Sequence, residues 1–160
     1  MSLPAIQLRA AAAADMDAIV ELDRASETAP HWPPAAYAAI LTPASAAATR
    51  CLIVAHRGDV LVGYAVGLLH ARDGVECVAE LESVAVAADA RRAGVGRALC
   101  SAVLDWCARR GATQVELEVR SASAAAITLY AGLGFVPCDR RPRYYRDPED
   151  DALGMRLVLR

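Results

Sequence analysis

The sequence predicts an α/β or α+β domain built around a mixed sheet. Three observations carry this reading. Strand-like runs are punctuated by Arg57-Gly58-Asp59 and Arg72-Asp73-Gly74, the composition of hairpin turns. A glycine-containing segment, Arg91 to Arg97, leads into a long amphipathic stretch. A strand, a short helix and further strands then complete the chain. Its 160 residues fit one domain, spanning 1–160, and 56% hydrophobic residues are enough to bury a core.

Taken in order, Ile6 to Arg9 alternates apolar and polar residues and reads as a first strand. Asp15 is a good N-cap for a helix running to about Ala25, with Ile19, Val20 and Leu22 on its apolar face. Ala29 to Pro34 holds three prolines and must be a loop, after which Pro33 or Pro34 starts a short helix through Leu41. Pro43 to Thr49 reads as a small-residue linker. Strands follow at Cys51 to Ala55, Val60 to Leu69 and Val75 to Val86. The alternation of the last one slips between Leu81 and Val84, as a β-bulge would make it do.

Leu99, Ala102, Val103 and Trp106 then mark the buried face of a helix that Gly111 ends as a left-handed cap. Val115 to Val119 is a strand. Ala124 to Ala131 is a short helix, capped by Ser123 and stopped by Gly132 and Gly134. Phe135-Val136 opens another strand. The basic run Arg140, Arg141, Arg143 and Arg146 reads as a Pro-containing loop, and Leu153 to Leu159 as the closing strand.

Composition removes several classes of function. No apolar run approaches the roughly 18 residues of a membrane span, and Ala10 to Ala14 is too short for a signal-peptide core. The expectation is a soluble, unprocessed cytoplasmic chain with no membrane partner. All 17 basic residues are Arg, so Schiff-base chemistry on a lysine is excluded. A formal charge of -2 gives no global attraction to nucleic acid, and Asp147, Glu149, Asp150 and Asp151 offset the one arginine cluster. Five cysteines without CxxC spacing read as reduced thiols, and three scattered histidines predict no metal site.

The strongest chemical signal is Arg91-Arg92-Ala93-Gly94-Val95-Gly96-Arg97 between a strand and a helix. Two close glycines let the backbone turn sharply and approach a ligand. The first N–H groups of the helix are unpaired and its dipole is positive there, so the segment suits an anion such as a pyrophosphate. The Walker pattern is absent, and Leu99 stands where a dinucleotide fingerprint needs its third glycine. A glycine-rich helix start with solvated arginines is the plain alternative.

Val84-Ala85-Val86, the Arg91-x-x-Gly94-x-Gly96 segment, Leu117-Glu118-Val119-Arg120 and the stretch from Ala124 through Tyr130 to Phe135 together resemble the GNAT superfamily of N-acetyltransferases. Within it the chain is most similar to the RimI-type ribosomal-protein alanine N-acetyltransferases, with a weaker echo at His31-Trp32-Pro33. The resemblance covers about Glu80 to Tyr145 and includes Arg141-x-Arg143-Tyr144-Tyr145.

The resemblance implies a single domain with a mixed, mostly antiparallel sheet flanked by helices, and acetyl-CoA as cosubstrate. Backbone groups of Val84, Ala85 and Val86 would hold the pantetheine arm, and Arg92 to Arg97, with Arg91 beside them, would cradle the pyrophosphate. Glu118 would be the general base and Tyr130 the general acid. Ser123 stands where the RimI type usually has Asn; it still donates and caps but reaches less far.

These residue types suit the reaction. A protonated amine must lose a proton before it attacks a thioester, and a carboxylate can take it. The leaving thiolate needs a proton or a strong hydrogen bond, and a phenol with a pKa near ~10 can supply either. Glu116 and Glu118 also fit a solvated strand face, and Tyr130 a core position. Three functions stay open: acetylation of a protein N-terminus starting with Ala on a ribosomal protein, acetylation of a small amine, or non-catalytic acyl-CoA binding. The presence of both Glu118 and Tyr130 disfavours the last, and His31-Trp32-Pro33 with Tyr144-Tyr145 favours the first.

Overall fold

A computed structural model describes residues 4–26, 29–42, 48–70 and 76–159. Its strands are β1 (Ile6–Ala10), β2 (Ala48–Arg57), β3 (Val60–His70), β4 (Val78–Val86), β5 (Gln114–Arg120), β6 (Val136–Arg146) and β7 (Glu149–Val158). The helices are α1 (Met16–Ala25), α2 (Pro34–Leu41), α3 (Val95–Arg109) and α4 (Ala124–Gly132). The strands form one sheet in the order β1-β2-β3-β4-β5-β7-β6. Among the described residues only β4 and β5 pair in parallel; the other neighbours are antiparallel. No described helix is long and apolar enough to cross a membrane.

Helices α3 and α4 cover one face of the sheet. Leu99, Cys100, Val103 and Cys107 of α3 are fully buried there against Val115, Leu117 and Met155. The seven-residue spacing of the two cysteines is thus a packing feature. The helix lies close because β3 has glycine beneath it: a Cβ at Gly67 would stand 2.7 Å from Val103 and 2.9 Å from Cys51. Helices α1 and α2 cover the other face, where Ile19, Tyr37, Tyr64, Val66 and Ala85 form a second core.

A bulge decides which side of β4 meets which core. Val66 pairs with Ser83 and Gly67 with Leu81, leaving Glu82 as the extra residue. Before it, Ala79 and Leu81 face α3; after it, Val84 and Val86 do, and Ala85 turns to the α1–α2 layer. One inserted residue exchanges the two faces of a period-two strand.

Several local expectations need correction. Asp15 does not cap α1 through its side chain. It closes a 3-10 turn, Ala13–Asp15, by accepting the Ala12 N–H at 2.8 Å, and it binds the Arg9 guanidinium at 2.7 and 2.9 Å. The charge-assisted bond to Arg9 outcompetes a neutral helix N–H and holds the Asp15 carboxyl below the usual carboxylate range. The strand expected at Cys51 to Ala55 runs from Ala48 to Arg57, and the one expected from Val75 starts at Val78. The turn at Arg72-Asp73-Gly74 and most of the Pro43 to Thr49 linker lie outside the described residues.

The basic run is not a loop but the second half of β6. Its cross-strand partners are the acidic residues that follow it: Arg140 binds Asp151 at 2.7 Å, and Arg143 pairs with Glu149 at 3.3 Å. Opposite charges facing each other across an antiparallel pair extend a hairpin that turn composition alone argues against.

Candidate acetyl-transfer site

The sheet splits at its centre. β4 and β5 pair only through Val78–Gln114, Ala79–Val115 and Glu80–Glu116, and then part. Beyond that point β4 is held by β3 and β5 by β7, so Val84, Ala85 and Val86 have no strand partner on their β5 side. Backbone N–H and C=O groups left unpaired in this way are strong binding groups. The bulge at Glu82 lies where the split opens.

The Gly94 segment stands at the end of β4, beyond Val86. Gly94 is the N-cap of α3 with φ 79°, and Arg92 is also left-handed at φ 63°. The first helical bond runs from Ala98 N–H to Gly94 C=O at 3.0 Å, which leaves the N–H groups of Val95, Gly96 and Arg97 without a helical partner. Arg91 turns back, its Nε donating to Val86 C=O at 3.2 Å. Arg91, Arg92, Ala93, Gly94 and Arg97 are exposed, while Val95 anchors the turn in the core. Gly96 lies under α4: a Cβ there would meet Leu129 at 3.4 Å and Val86 at 3.6 Å. The turn, the end of β4 and α4 therefore form one surface.

Tyr130 projects from α4 into the α3-side core. Its ring meets Phe135 edge-on with centroids 6.0 Å apart. Burial pushes its pKa well above that of a free phenol, with Cys100 and Tyr145 adding to the rise. The hydroxyl is therefore a neutral donor at every physiological pH. Ser123 takes the N-cap position of α4, yet its side chain makes no capping bond; its backbone carbonyl accepts the Ile127 N–H at 3.0 Å instead. The turn before it is fastened by Asp150, which accepts from the Ser121 hydroxyl and from Ala122 N–H.

Glu118 lies on the opposite face of β5 from the buried Val115, Leu117 and Val119. Its side chain keeps 37% of its surface exposed and pairs with Arg141 Nε at 3.5 Å. Its neighbour across the ladder is Gly154, and the Asp139 carboxylate of β6 occupies the place a side chain there would take. Tyr145 of β6 is close enough to feel the Glu118 charge, and Arg120 lies over its ring at 4.2 Å. Tyr144 stands edge-on to Tyr145 at 5.1 Å and carries Arg141 above it. Tyr145 on β6 thus lies near both the Glu118 carboxylate of β5 and the neutral Tyr130 phenol of α4.

The profile of the acetyltransferase (GNAT) family matches residues 16–135. The chain belongs to the GNAT acetyltransferase family. This GNAT chain is 43% identical over 83 residues to the ribosomal protein bS18-alanine N-acetyltransferase of Escherichia coli K12, covering 51% of the chain and 56% of that enzyme. The chain therefore spans little more than half the length of that relative. It is 37% identical over 125 residues to the N-alpha-acetyltransferase RimI of Mycobacterium tuberculosis, covering 78% of the chain and 74% of that protein. The crystal structure of the ribosomal-protein-S18-alanine N-acetyltransferase of Escherichia coli superposes with a TM-score of 0.77 at 26% identity, over 96% of this chain and 94% of that one.

In this GNAT chain Gly96 of the Arg91–Arg97 turn lies between Val86 of β4 and Leu129 of α4. The partners of Glu118 were not legible. Arg141 and Tyr145 approach it only because the basic run is a strand, and the cue in the sequence was the acidic run that follows. No three or more His, Cys, Asp or Glu side chains among the described residues gather as metal ligands.

Proposed function

We propose that this chain transfers the acetyl group of acetyl-CoA to the N-terminal α-amine of a protein, a ribosomal protein beginning with Ala, by direct attack with both substrates bound. The reading is carried by the split between β4 and β5, where β4 leads to a helix start rich in free N–H groups, and it is supported by the carboxylate of Glu118 on β5 past its last pair with β4 and by the neutral phenol of Tyr130 on α4. Membership in an acetyltransferase family and relatives named for N-terminal acetylation support it. Five free cysteines among the described residues fit a reducing, cytoplasmic setting.

Acetyl-CoA supplies the activated thioester. The N–H groups of Val95, Gly96 and Arg97, with Arg91 and Arg92 beside them, receive its pyrophosphate, and Ser123 offers a hydroxyl nearby. Backbone groups of Val84, Ala85 and Val86 align the arm as a further strand would be aligned, and an N–H there stabilises charge on the carbonyl oxygen. Glu118 takes the proton of the acceptor amine, directly or through a water. Tyr130 donates its hydrogen bond to the departing sulfur. Its raised pKa makes a fully formed tyrosinate costly, so the phenol acts mainly through this hydrogen bond to the sulfur as negative charge builds there.

The test is acetyl-CoA consumption with peptides beginning Ala, the same peptides with a blocked N-terminus, and a panel of polyamines and amino acids. Turnover on free but not blocked peptides is the expected result. Turnover on small amines alone moves the chain to that substrate class, and binding without turnover on any amine makes it an acyl-CoA-binding module.

The cofactor half has its own test. Gly94 has open space where a Cβ would go, but its φ of 79° strains an L-residue. Gly94→Asn tolerates that backbone, whereas Gly94→Asp adds a negative charge at the anion site. Calorimetry is expected to show acetyl-CoA affinity retained within about threefold in the Asn variant and lost by on the order of tenfold or more in the Asp variant. Equal affinities would detach the pyrophosphate from this turn.

A further inference from the structure

Glu118 and Tyr130 sit on consecutive elements, β5 and α4, and only residues 121–123 separate the two. The angle taken at that junction sets where the phenol stands relative to the carboxylate. Little in α4 itself fixes the angle. The helix has nine residues, none of them fully buried, and Ser123 makes no side-chain cap. A helix this short draws its order from what surrounds it.

The junction is gripped from β7 instead. Asp150 Oδ1 accepts from the Ser121 hydroxyl and, at 2.8 Å, from the Asp151 N–H, while its Oδ2 accepts from the Ala122 N–H at 3.1 Å. The Ser121 N–H donates to Asp151 C=O at 3.0 Å. Arg120 closes the grip at the β5 end. Its Nη1 donates to Pro148 C=O at 2.8 Å, and its guanidinium lies over the Tyr145 ring. Asp150 is the cross-strand partner of Tyr145, the β6 residue near both Glu118 and Tyr130. The Ser121 bond first, and the two N–H donors with it, hold the Asp150 carboxyl below the usual carboxylate range. Hydrogen bonds to an ionised acceptor are roughly twice as strong as neutral ones. Only a carboxylate meets three donors with two acceptor oxygens and no donor of its own.

We propose that Asp150 is a positioning residue for acetyl transfer: by clasping the β5–α4 junction to the β6–β7 hairpin, it holds the Tyr130 hydroxyl in its working place relative to Glu118. This rests on the acetyl-transfer reading and on the roles of Glu118 and Tyr130 within it. The Gly94 turn belongs to α3, and no hydrogen bond among the described residues ties it to the junction. Loss of Asp150 is therefore expected to fall on kcat and to spare acetyl-CoA binding.

The experiment is a double-mutant cycle on kcat with Asp150→Asn and Tyr130→Phe, run on whichever peptide or small amine the unaltered protein acetylates fastest. Asp150→Asn keeps the shape but replaces one acceptor oxygen by a donor, which must face Ser121, Ala122 or Asp151. Its kcat is expected to fall on the order of tenfold, with acetyl-CoA affinity by calorimetry within about threefold. The double variant is expected to match Tyr130→Phe alone within about threefold, because a displaced hydroxyl has already lost its worth. Hydrogen exchange of the Ala122 amide, read with no substrate present, is expected to speed up in Asp150→Asn. Losses in kcat that simply multiply overturn the proposal, since general destabilisation gives that pattern. So does an unchanged kcat, an unchanged Ala122 exchange, or a loss of acetyl-CoA affinity equal to the loss in kcat. Ser121→Ala removes one donor and leaves the carboxylate two; it takes the place of Asp150→Asn in the cycle if that variant fails to fold, and the same outcomes decide. If the unaltered protein acetylates no amine, the acetyl-transfer reading fails and the proposal with it, whereas the other adverse outcomes leave that reading standing.

Discussion

Tyr130→Phe is expected to lower kcat by about 10²–10⁴-fold, the range typical of a positioned general acid. The ring fills the same space against Phe135, so acetyl-CoA affinity and thermal stability should stay near those of the unaltered protein. Only the hydrogen bond to the leaving sulfur is removed. Because burial holds the phenol neutral well past the usual tyrosine range, the Tyr130 limb should be flat across physiological pH. The sign follows from the direction: a raised pKa keeps the donor form present below it, and it is lost only as pH climbs through the raised value. Single-turnover rates at saturating acetyl-CoA, with calorimetric binding beside them, check this. A fall below about threefold would return Tyr130 to a packing role.

The second large effect belongs to Glu118. Glu118→Gln keeps the shape and one acceptor oxygen but takes no proton, so the rate at neutral pH is expected to fall about 10²-fold or more. The defect should shrink as pH approaches the acceptor's own pKa, since more amine then arrives neutral. For an N-terminal α-amine that recovery lies near ~8, and for a side-chain or small primary amine near ~10. The same titration therefore reports the substrate class. Arg141 supplies a further check. Its guanidinium stands 3.5 Å from the Glu118 carboxylate, where a cationic amine would also be drawn. Glu118→Gln weakens the hold on both cations, so its acceptor KM should rise together with the loss in rate. Rates equal to those of the unaltered protein across roughly pH 6–9, the range bracketing the α-amine pKa, would leave Glu118 as a solvated strand residue.

Much of this architecture is local and therefore readable in one dimension. The α3 stripe through Leu99 and Val103, the glycine punctuation at Gly58, Gly94, Gly111 and Gly134, and the proline start of α2 each follow from backbone sterics or a helical period, which neighbours in sequence determine. The slip between Leu81 and Val84 was legible for the same reason, because a bulge leaves its mark in the alternation of one strand. The helix start with free N–H groups after Gly94, the feature on which the proposed pyrophosphate site rests, was legible too.

Tertiary structure decided what depends on partners distant in sequence. Whether Asp15 caps a helix or binds Arg9 depends on where β1 lies. Whether Arg140 to Arg146 is a loop or a strand depends on Glu149 to Asp151 returning across the hairpin. The split at which the site is proposed is itself a relation between β4 and β5, which pair for three residues and then follow different neighbours. Past those residues β4 pairs only with β3 and β5 only with β7, partners that lie far from either strand in sequence or on its other side. Asp23, Tyr37 and Tyr64 come from α1, α2 and β3 and meet only because two helices fold onto one face of the sheet.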